Sequence, residues 1–173
     1  MKQIAFSMLS WLLALGASAQ TCREVVRDSS GRIVRTIERH RISGGTERAT
    51  IRDASGRIIG TATTHSSGGT SRTEFRDASG RITGSASTRG STGDSSRTTY
   101  RDASGRISGS TSTSRSGSGR RTTFRDASGR ITGSESTHGS STIRRDRSGR
   151  LTGSSNGSCR RESRNPTGPV PRG

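Results

Sequence analysis

The sequence has few large apolar residues. Only 23% of its 173 residues are hydrophobic and 3% are aromatic, whereas soluble globular domains are typically about 45–50% apolar. This shortage excludes an ordinary domain built around one large core, and taken alone it is typical of intrinsic disorder. Lysine is nearly absent as well, since Lys2 is the only one, and the formal net charge of +17 therefore comes from arginine.

The amino terminus has the features of an export signal. Lys2 is followed by an apolar run over residues 4–15, and small residues stand at Ala17 and Ala19. This order predicts a secretory signal peptide over residues 1–19, with an uncleaved anchor as the alternative. We therefore expect a secreted, periplasmic or cell-surface protein with no membrane span after cleavage. Residues 20–23 then form a short segment that contains Cys22.

Cysteine is scarce. Cys22 and Cys159 are the only two, and an even number in an exported protein predicts a disulfide. Two cysteines are too few for a four-ligand zinc site.

A repeat occupies the region between the cysteines. Arg-Asp-Ala-Ser-Gly-Arg-Ile occurs at residues 52–58, 76–82, 101–107 and 125–131, with divergent copies at 27–33 and 145–151. Such spacing predicts a repeat protein of six units over residues 24–155. The remaining residues, 156–173, contain proline and arginine and are predicted to form a flexible tail.

Each copy has the composition of a tight turn between two short strands. Aspartate at the start accepts hydrogen bonds from the turn, and glycine at its end adopts a positive φ. The predicted turn residues are Asp53, Gly56, Asp77, Gly80, Asp102, Gly105, Asp126 and Gly129.

Two registers are compatible with this turn. In the preferred register Phe75 faces Ile82 across the hairpin, because each unit then buries an apolar pair on one face. In the alternative, Asp77 lies opposite Arg81 with a glycine bulge, and the apolar residues divide between the faces. The preferred register predicts a core of Ile51, Ile58, Phe75, Ile82, Tyr100, Ile107, Phe124 and Ile131.

One unit cannot fold alone. Two buried apolar side chains contribute about 1.5–3 kcal/mol each, whereas ordering the backbone costs about 1–2 kcal/mol for every residue. We therefore expect an all-β repeat protein whose units stack as a β-solenoid or extended β-meander, the alternative being disorder until assembly. A linear stack of six units spans roughly 24–29 Å, too far for an internal disulfide. An internal bridge would require a closed barrel or a tail that folds back.

The arginines suggest the partners. Guanidinium groups bind phosphate, sulfate and carboxylate through paired hydrogen bonds, so rows of arginine would form an anion-binding surface. No catalytic, metal-binding or cofactor-binding constellation is predicted, and we do not expect an enzyme. The candidate anion-binding residues are Arg52, Arg57, Arg76, Arg81, Arg101, Arg106, Arg125 and Arg130.

These features lead to two functional hypotheses. The first is an exported structural protein that self-associates into fibres through stacked β repeats. The second is a secreted binding module whose Arg or Ser/Thr rows bind acidic polysaccharide, lipopolysaccharide, nonspecific nucleic acid or, less readily, ice.

Two family resemblances accompany these hypotheses. The motif Asp-x-x-Gly-Arg-[Ile/Leu], present at residues 53–58 and 146–151, resembles the core of the YD/Rhs repeats of bacterial secreted β-shells. In overall plan, a signal peptide followed by strand-turn-strand units, the chain is similar to curlin-type subunits of bacterial surface fibres. Both resemblances imply an exported β protein.

Overall fold

The computed structural model describes residues 21–90 and 95–157. They form twelve strands: β1 (Thr21–Asp28), β2 (Ile33–Arg41), β3 (Thr46–Asp53), β4 (Ile58–Ser67), β5 (Thr70–Asp77), β6 (Ile82–Gly90), β7 (Ser96–Asp102), β8 (Ile107–Ser116), β9 (Gly119–Asp126), β10 (Ile131–His138), β11 (Ser141–Asp146) and β12 (Leu151–Gly157).

The strands close into one antiparallel barrel. Each strand pairs with its neighbours in the chain, and β1 pairs with β12. The all-β prediction is confirmed, but the predicted β-solenoid or open β-meander is wrong. Successive strands form hairpins that curl until the first and last strands meet, which removes the free edges that an open sheet would expose. The strands pair within a single chain, without a second copy.

A regular stagger accompanies the closure. Asp77 lies opposite Gly60, which in turn lies opposite Ile51, two residues before Asp53. The row of residues that lie opposite one another across the strands therefore shifts by two residues along the chain with each repeat unit. A stagger of this kind tilts the strands relative to the barrel axis, as a closed barrel requires.

The glycine that follows each turn permits this close strand approach. A Cβ at Gly60 would lie 2.7 Å from the carbonyl oxygen of Arg76, and one at Gly84 would lie 2.5 Å from that of Arg101. Only glycine avoids these clashes. The first unit differs, since Arg35 stands where the later units have glycine, and it lies opposite Asp53.

The tight turns adopt the alternative register. Asp77 donates its backbone N–H to the Arg81 carbonyl over 3.0 Å, and Gly80 has φ of 84°. One step further, Arg76 pairs with Ile82 while Phe75 pairs with Gly84, so Thr83 is an extra residue in the strand. The preferred register, with Phe75 facing Ile82, is wrong. The hydrogen bonds of the turn and its left-handed glycine, rather than apolar pairing, determine the register.

This register changes the predicted core. Ile51, Phe75 and Tyr100 are buried, and Phe124 is half-buried. The isoleucines that follow the turns are exposed, because the bulge places them on the outer face. The core prediction is therefore wrong for Ile58, Ile82, Ile107 and Ile131.

The interior contains two small apolar clusters. Val26, Ile37, Ala49 and Ile51 form the first, and Phe75, Ala86 and Tyr100 form the second, with Ala62 packed against both. Beside the first cluster, Arg39 Nη2 lies 3.0 Å from Glu24 Oε2 in an ion pair.

Closure also changes the geometric argument about the cysteines. Because β1 and β12 are neighbours, the two ends of the repeat region are not at opposite ends of a stack, and the expected end-to-end separation is wrong. Cys22 lies in β1, whereas Cys159 lies outside the described residues, so their disulfide stays a prediction. The signal peptide at residues 1–19 and nearly all of the predicted tail also lie outside them.

Candidate anion-binding end of the barrel

All six tight turns lie at one end of the barrel. They join β1 to β2, β3 to β4, β5 to β6, β7 to β8, β9 to β10 and β11 to β12. In an antiparallel barrel every second connection falls at the same end, so the repeat places identical turns in a ring. We call this the tight-turn end.

A carboxylate organises each turn. Asp53 Oδ1 accepts hydrogen bonds from the Ser55 backbone N–H at 2.9 Å, the Ser55 hydroxyl at 2.6 Å and the Arg57 N–H at 3.0 Å. The other five turns have the same three bonds. The serine hydroxyl is the largest cause that lowers the pKa of Asp53 and of its equivalents. Hydrogen bonding to the ionised form thus keeps these groups charged.

The arginine before each aspartate is held across the turn. Arg52 Nη1 donates to the Gly56 carbonyl at 3.0 Å. The equivalent bonds of Arg27, Arg76, Arg101, Arg125 and Arg145 measure 2.7–3.0 Å. Four of the predicted anion-binding residues therefore also support the turn through Nη1. Two of them have a further partner, since Arg76 Nε donates to Glu74 at 2.8 Å and Arg52 Nε lies 3.7 Å from Glu38.

The arginine after each glycine extends into solvent. The side chains of Arg57 and Arg81 are 83% and 84% exposed, although their Nε atoms lie 3.2 and 3.3 Å from Asp53 and Asp77. Exposed ion pairs of this kind hold the side chain only weakly. The other members of this ring are also exposed: Arg32, Arg106, Arg130 and Arg150.

The charges at this end do not cancel. Five turns have two arginines and one aspartate each, and the turn at Asp146 has a third arginine, Arg147. Each turn segment therefore has a surplus of positive charge, although Glu74 offsets one charge through its ion pair with Arg76. The structure thus gathers the eight predicted anion-binding arginines at one end. A circular array of guanidinium groups can contact several anionic groups of one polymer or surface together.

Sequence reasoning missed an apolar ring beside these arginines. Its members are the exposed aliphatic residues that follow the six turns, and we call them the aliphatic collar: Ile33, Ile58, Ile82, Ile107, Ile131 and Leu151. The sequence contains a signal for this ring. The motif Asp-x-Ser-Gly-Arg favours a glycine bulge, which places the residue after the arginine on the outer face.

Other kinds of site are not evident in the described ranges. Within residues 21–90 and 95–157 no group of three or more His, Cys, Asp or Glu residues could hold a metal ion. The same ranges contain no helix with the length and hydropathy of a membrane span.

No family model, no curated protein and no solved structure matches the chain.

Proposed function

We propose that the protein is an exported binding module that recognises polyanions through the arginines of its tight-turn end. The observation that carries this proposal is the ring of exposed arginines, one after each turn glycine. Candidate ligands are acidic polysaccharide, lipopolysaccharide and nucleic acid bound without sequence preference, since all present closely spaced anionic groups.

The fibre hypothesis has less support. Assembly through stacked β repeats needs strand edges that are free to pair with another copy. In the described part of the chain each strand is already paired on both sides, including β1 with β12. The barrel therefore favours a discrete binding module over a β-stacked subunit.

Direct readout of bases is also disfavoured. Modules that stack bases use exposed aromatic side chains. Here Phe75 and Tyr100 are buried and Phe124 is half-buried and faces the interior. Recognition would thus rest on charge and on the geometry of the guanidinium groups.

The test distinguishes binding by the arginines of the tight-turn end from attraction by net charge alone. Binding to a short duplex DNA, used as a uniform polyanion, is followed by fluorescence anisotropy at several salt concentrations. We expect Arg57→Gln/Arg81→Gln/Arg106→Gln/Arg130→Gln to weaken binding and to make the salt dependence shallower. Each lost phosphate contact should change the slope of log affinity against log salt by about 0.9.

A second variant matches the charge change at another place. Arg48→Gln/Arg72→Gln/Arg97→Gln/Arg121→Gln removes four arginines that are exposed on the outer wall, five residues before each aspartate. We expect this control to retain most of the affinity and most of the slope. Equal losses in both variants would mean that net charge alone drives binding, and no binding by the native protein would reject the function.

A further inference from the structure

The exposed apolar residues are concentrated in one ring. Of the ten large hydrophobic side chains exposed in the described part of the chain, eight belong to the collar or directly follow it, as Val34 and Ile59 do. Ile42 and Ile143 are the other two. Single exposed apolar residues are ordinary, but their concentration at one end of the barrel points to an interaction surface.

The collar is interleaved with cations. Arg52 pairs with Ile58, and Arg101 pairs with Ile107, across their hairpins. The same Arg–Ile or Arg–Leu pairing occurs in the other four units. Each collar residue also directly follows one of the solvent-exposed arginines. The outer rim of the tight-turn end thus alternates guanidinium groups with aliphatic side chains, about half of whose surface meets water.

Four of the six turn tips are apolar, whereas the other two carry Ser29 and Arg147. Ala54, Ala78, Ala103 and Ala127 are exposed at the tips, next to serine and glycine. The only acids in these turns are the aspartates, whose Oδ1 atoms already accept three hydrogen bonds each. Desolvating this end therefore removes less hydration than a ring of free carboxylates would lose.

The chemistry of the collar distinguishes among the partners that could bind at the tight-turn end. A second copy docked at the same end would bring two arginine rings together, and like charges repel. A hydrophilic polyanion would neutralise the arginines but leave the isoleucines in water. An anionic lipid surface supplies both partners, phosphates for the guanidinium groups and an apolar layer beneath them.

We propose that the tight-turn end docks on the surface of an anionic lipid bilayer, with the arginines at the phosphates and the collar in the boundary between headgroups and acyl chains. This inference rests on the proposed function, because it names the ligand class of the same arginine ring. It differs from that function in requiring the aliphatic collar, which binding to a soluble polyanion does not need.

The first test measures sedimentation with phosphatidylglycerol vesicles, with phosphatidylcholine vesicles as the uncharged comparison. We expect binding to the anionic vesicles only. Ile58→Thr/Ile82→Thr/Ile107→Thr/Ile131→Thr keeps β-branched residues in the strands and should lower vesicle partitioning by at least about tenfold. Its affinity for duplex DNA should remain native, whereas the arginine variant of the tight-turn end should lose both.

The second test reports the depth of the collar. Trp11, the only tryptophan, lies in the predicted signal peptide, so Ile107→Trp in the protein without residues 1–19 has a single tryptophan, in the collar. Its emission should shift to shorter wavelength with anionic vesicles and be quenched by brominated acyl chains. Ser112→Trp in the same background places the probe on the exposed wall of β8 and should show neither change.

The outcomes separate the two proposals. If the native protein binds DNA and the isoleucine variant partitions like the native protein, the lipid inference is overturned and the polyanion function stands. If neither DNA nor anionic vesicles bind, both fail. A blue shift at Ile107→Trp that follows protein concentration without vesicles would show that the collar contacts a second copy, which also overturns docking on lipid.

Discussion

The two halves of the barrel interior differ in chemistry. Every buried hydrophobic side chain of the described residues lies on β1 to β7, in the two clusters around Ile51 and Phe75. On β8 to β12 the buried side chains are almost all hydroxyls, with one carboxylate: Thr111, Thr113, Thr122, Glu135, Thr142 and Ser155. We call β1 to β7 the apolar half because, among the described residues, it alone buries hydrophobic side chains, although Thr64, Thr88 and Thr98 are buried there too. We call β8 to β12 the polar half.

This difference shows that strand pairing can close a barrel without an apolar filling. In the polar half, two pairs of threonines on neighbouring strands satisfy each other: the hydroxyls of Thr113 and Thr122 lie 2.9 Å apart, and those of Thr137 and Thr142 lie 3.0 Å apart. Each bond pairs polar groups that burial would otherwise penalise. The low hydrophobic content therefore reflects a barrel that is partly lined with hydroxyl groups, and its stability should be uneven.

The largest expected effect comes from the apolar half. Phe75→Ala removes a buried ring from the cluster with Ala86 and Tyr100 and should lower the free energy of unfolding by about 3–5 kcal/mol. Phe124→Ala is the matched change in the polar half, where the ring is half-buried between Thr111 and Gly133. We expect a loss of about 1–2 kcal/mol there.

Urea unfolding of the two variants provides the measurement. A loss for Phe124→Ala as large as that for Phe75→Ala would show that both halves are packed alike, against the contrast drawn from burial. Matched slopes of unfolding free energy against urea would confirm that the variants differ in stability and not in the surface they expose.

The sequence predicts the structure of one repeat unit better than it predicts how the units assemble into a barrel. The turn at Asp77 and Gly80 follows from local chemistry, because the aspartate, serine and glycine each make their contacts within five residues. Closure depends instead on a small stagger added at every unit, and on the glycines that face the next strand, such as Gly60. Neither property is visible in one repeat, so a periodic pattern alone does not distinguish a stack from a ring.

The site was predicted in part for the same reason. The repeat spacing predicts the arginines that flank the turns, whereas the expected pairing of Phe75 with Ile82 assigns four of the six collar residues to the core. Turn geometry outweighed that apolar pair. The bulge at Thr83 leaves Phe75 on the inner face and Ile82 on the outer face. The same bulge in the other units produces the exposed ring.

The hydroxyl pairs of the polar half should show strong coupling. Thr113→Val leaves the Thr122 hydroxyl buried without its partner, and Thr122→Val does the reverse, so each change should cost about 1–3 kcal/mol. The double variant removes both polar groups and should be close to native in stability. Thr50→Val/Thr61→Val, an opposed pair that is half-buried on the outer wall, is the control and should show little coupling.

A double-mutant cycle from thermal or urea unfolding gives the coupling energy. If the losses of Thr113→Val and Thr122→Val simply add in the double variant, the two hydroxyls do not depend on each other. The polar half would then be stabilised by strand pairing alone, and the contrast between the halves would be sharper still.

Tyr100 lies where the two halves meet, and its titration is the mildest probe because it leaves stability at neutral pH unchanged. It is the only tyrosine, opposed to Ala86 on one side and Gly109 on the other. Burial raises the pKa of Tyr100 to about 12, against about 10 for an unfolded chain. The stabilisation is complete below pH 10 and declines as the pH rises toward 12, because the unfolded chain ionises first. Phenolate absorbance should therefore appear near pH 12 in the native protein and near pH 10 in urea. Ionisation of the native protein near pH 10 would place Tyr100 with the polar half, in contact with water, and move the boundary of the apolar interior back to β6.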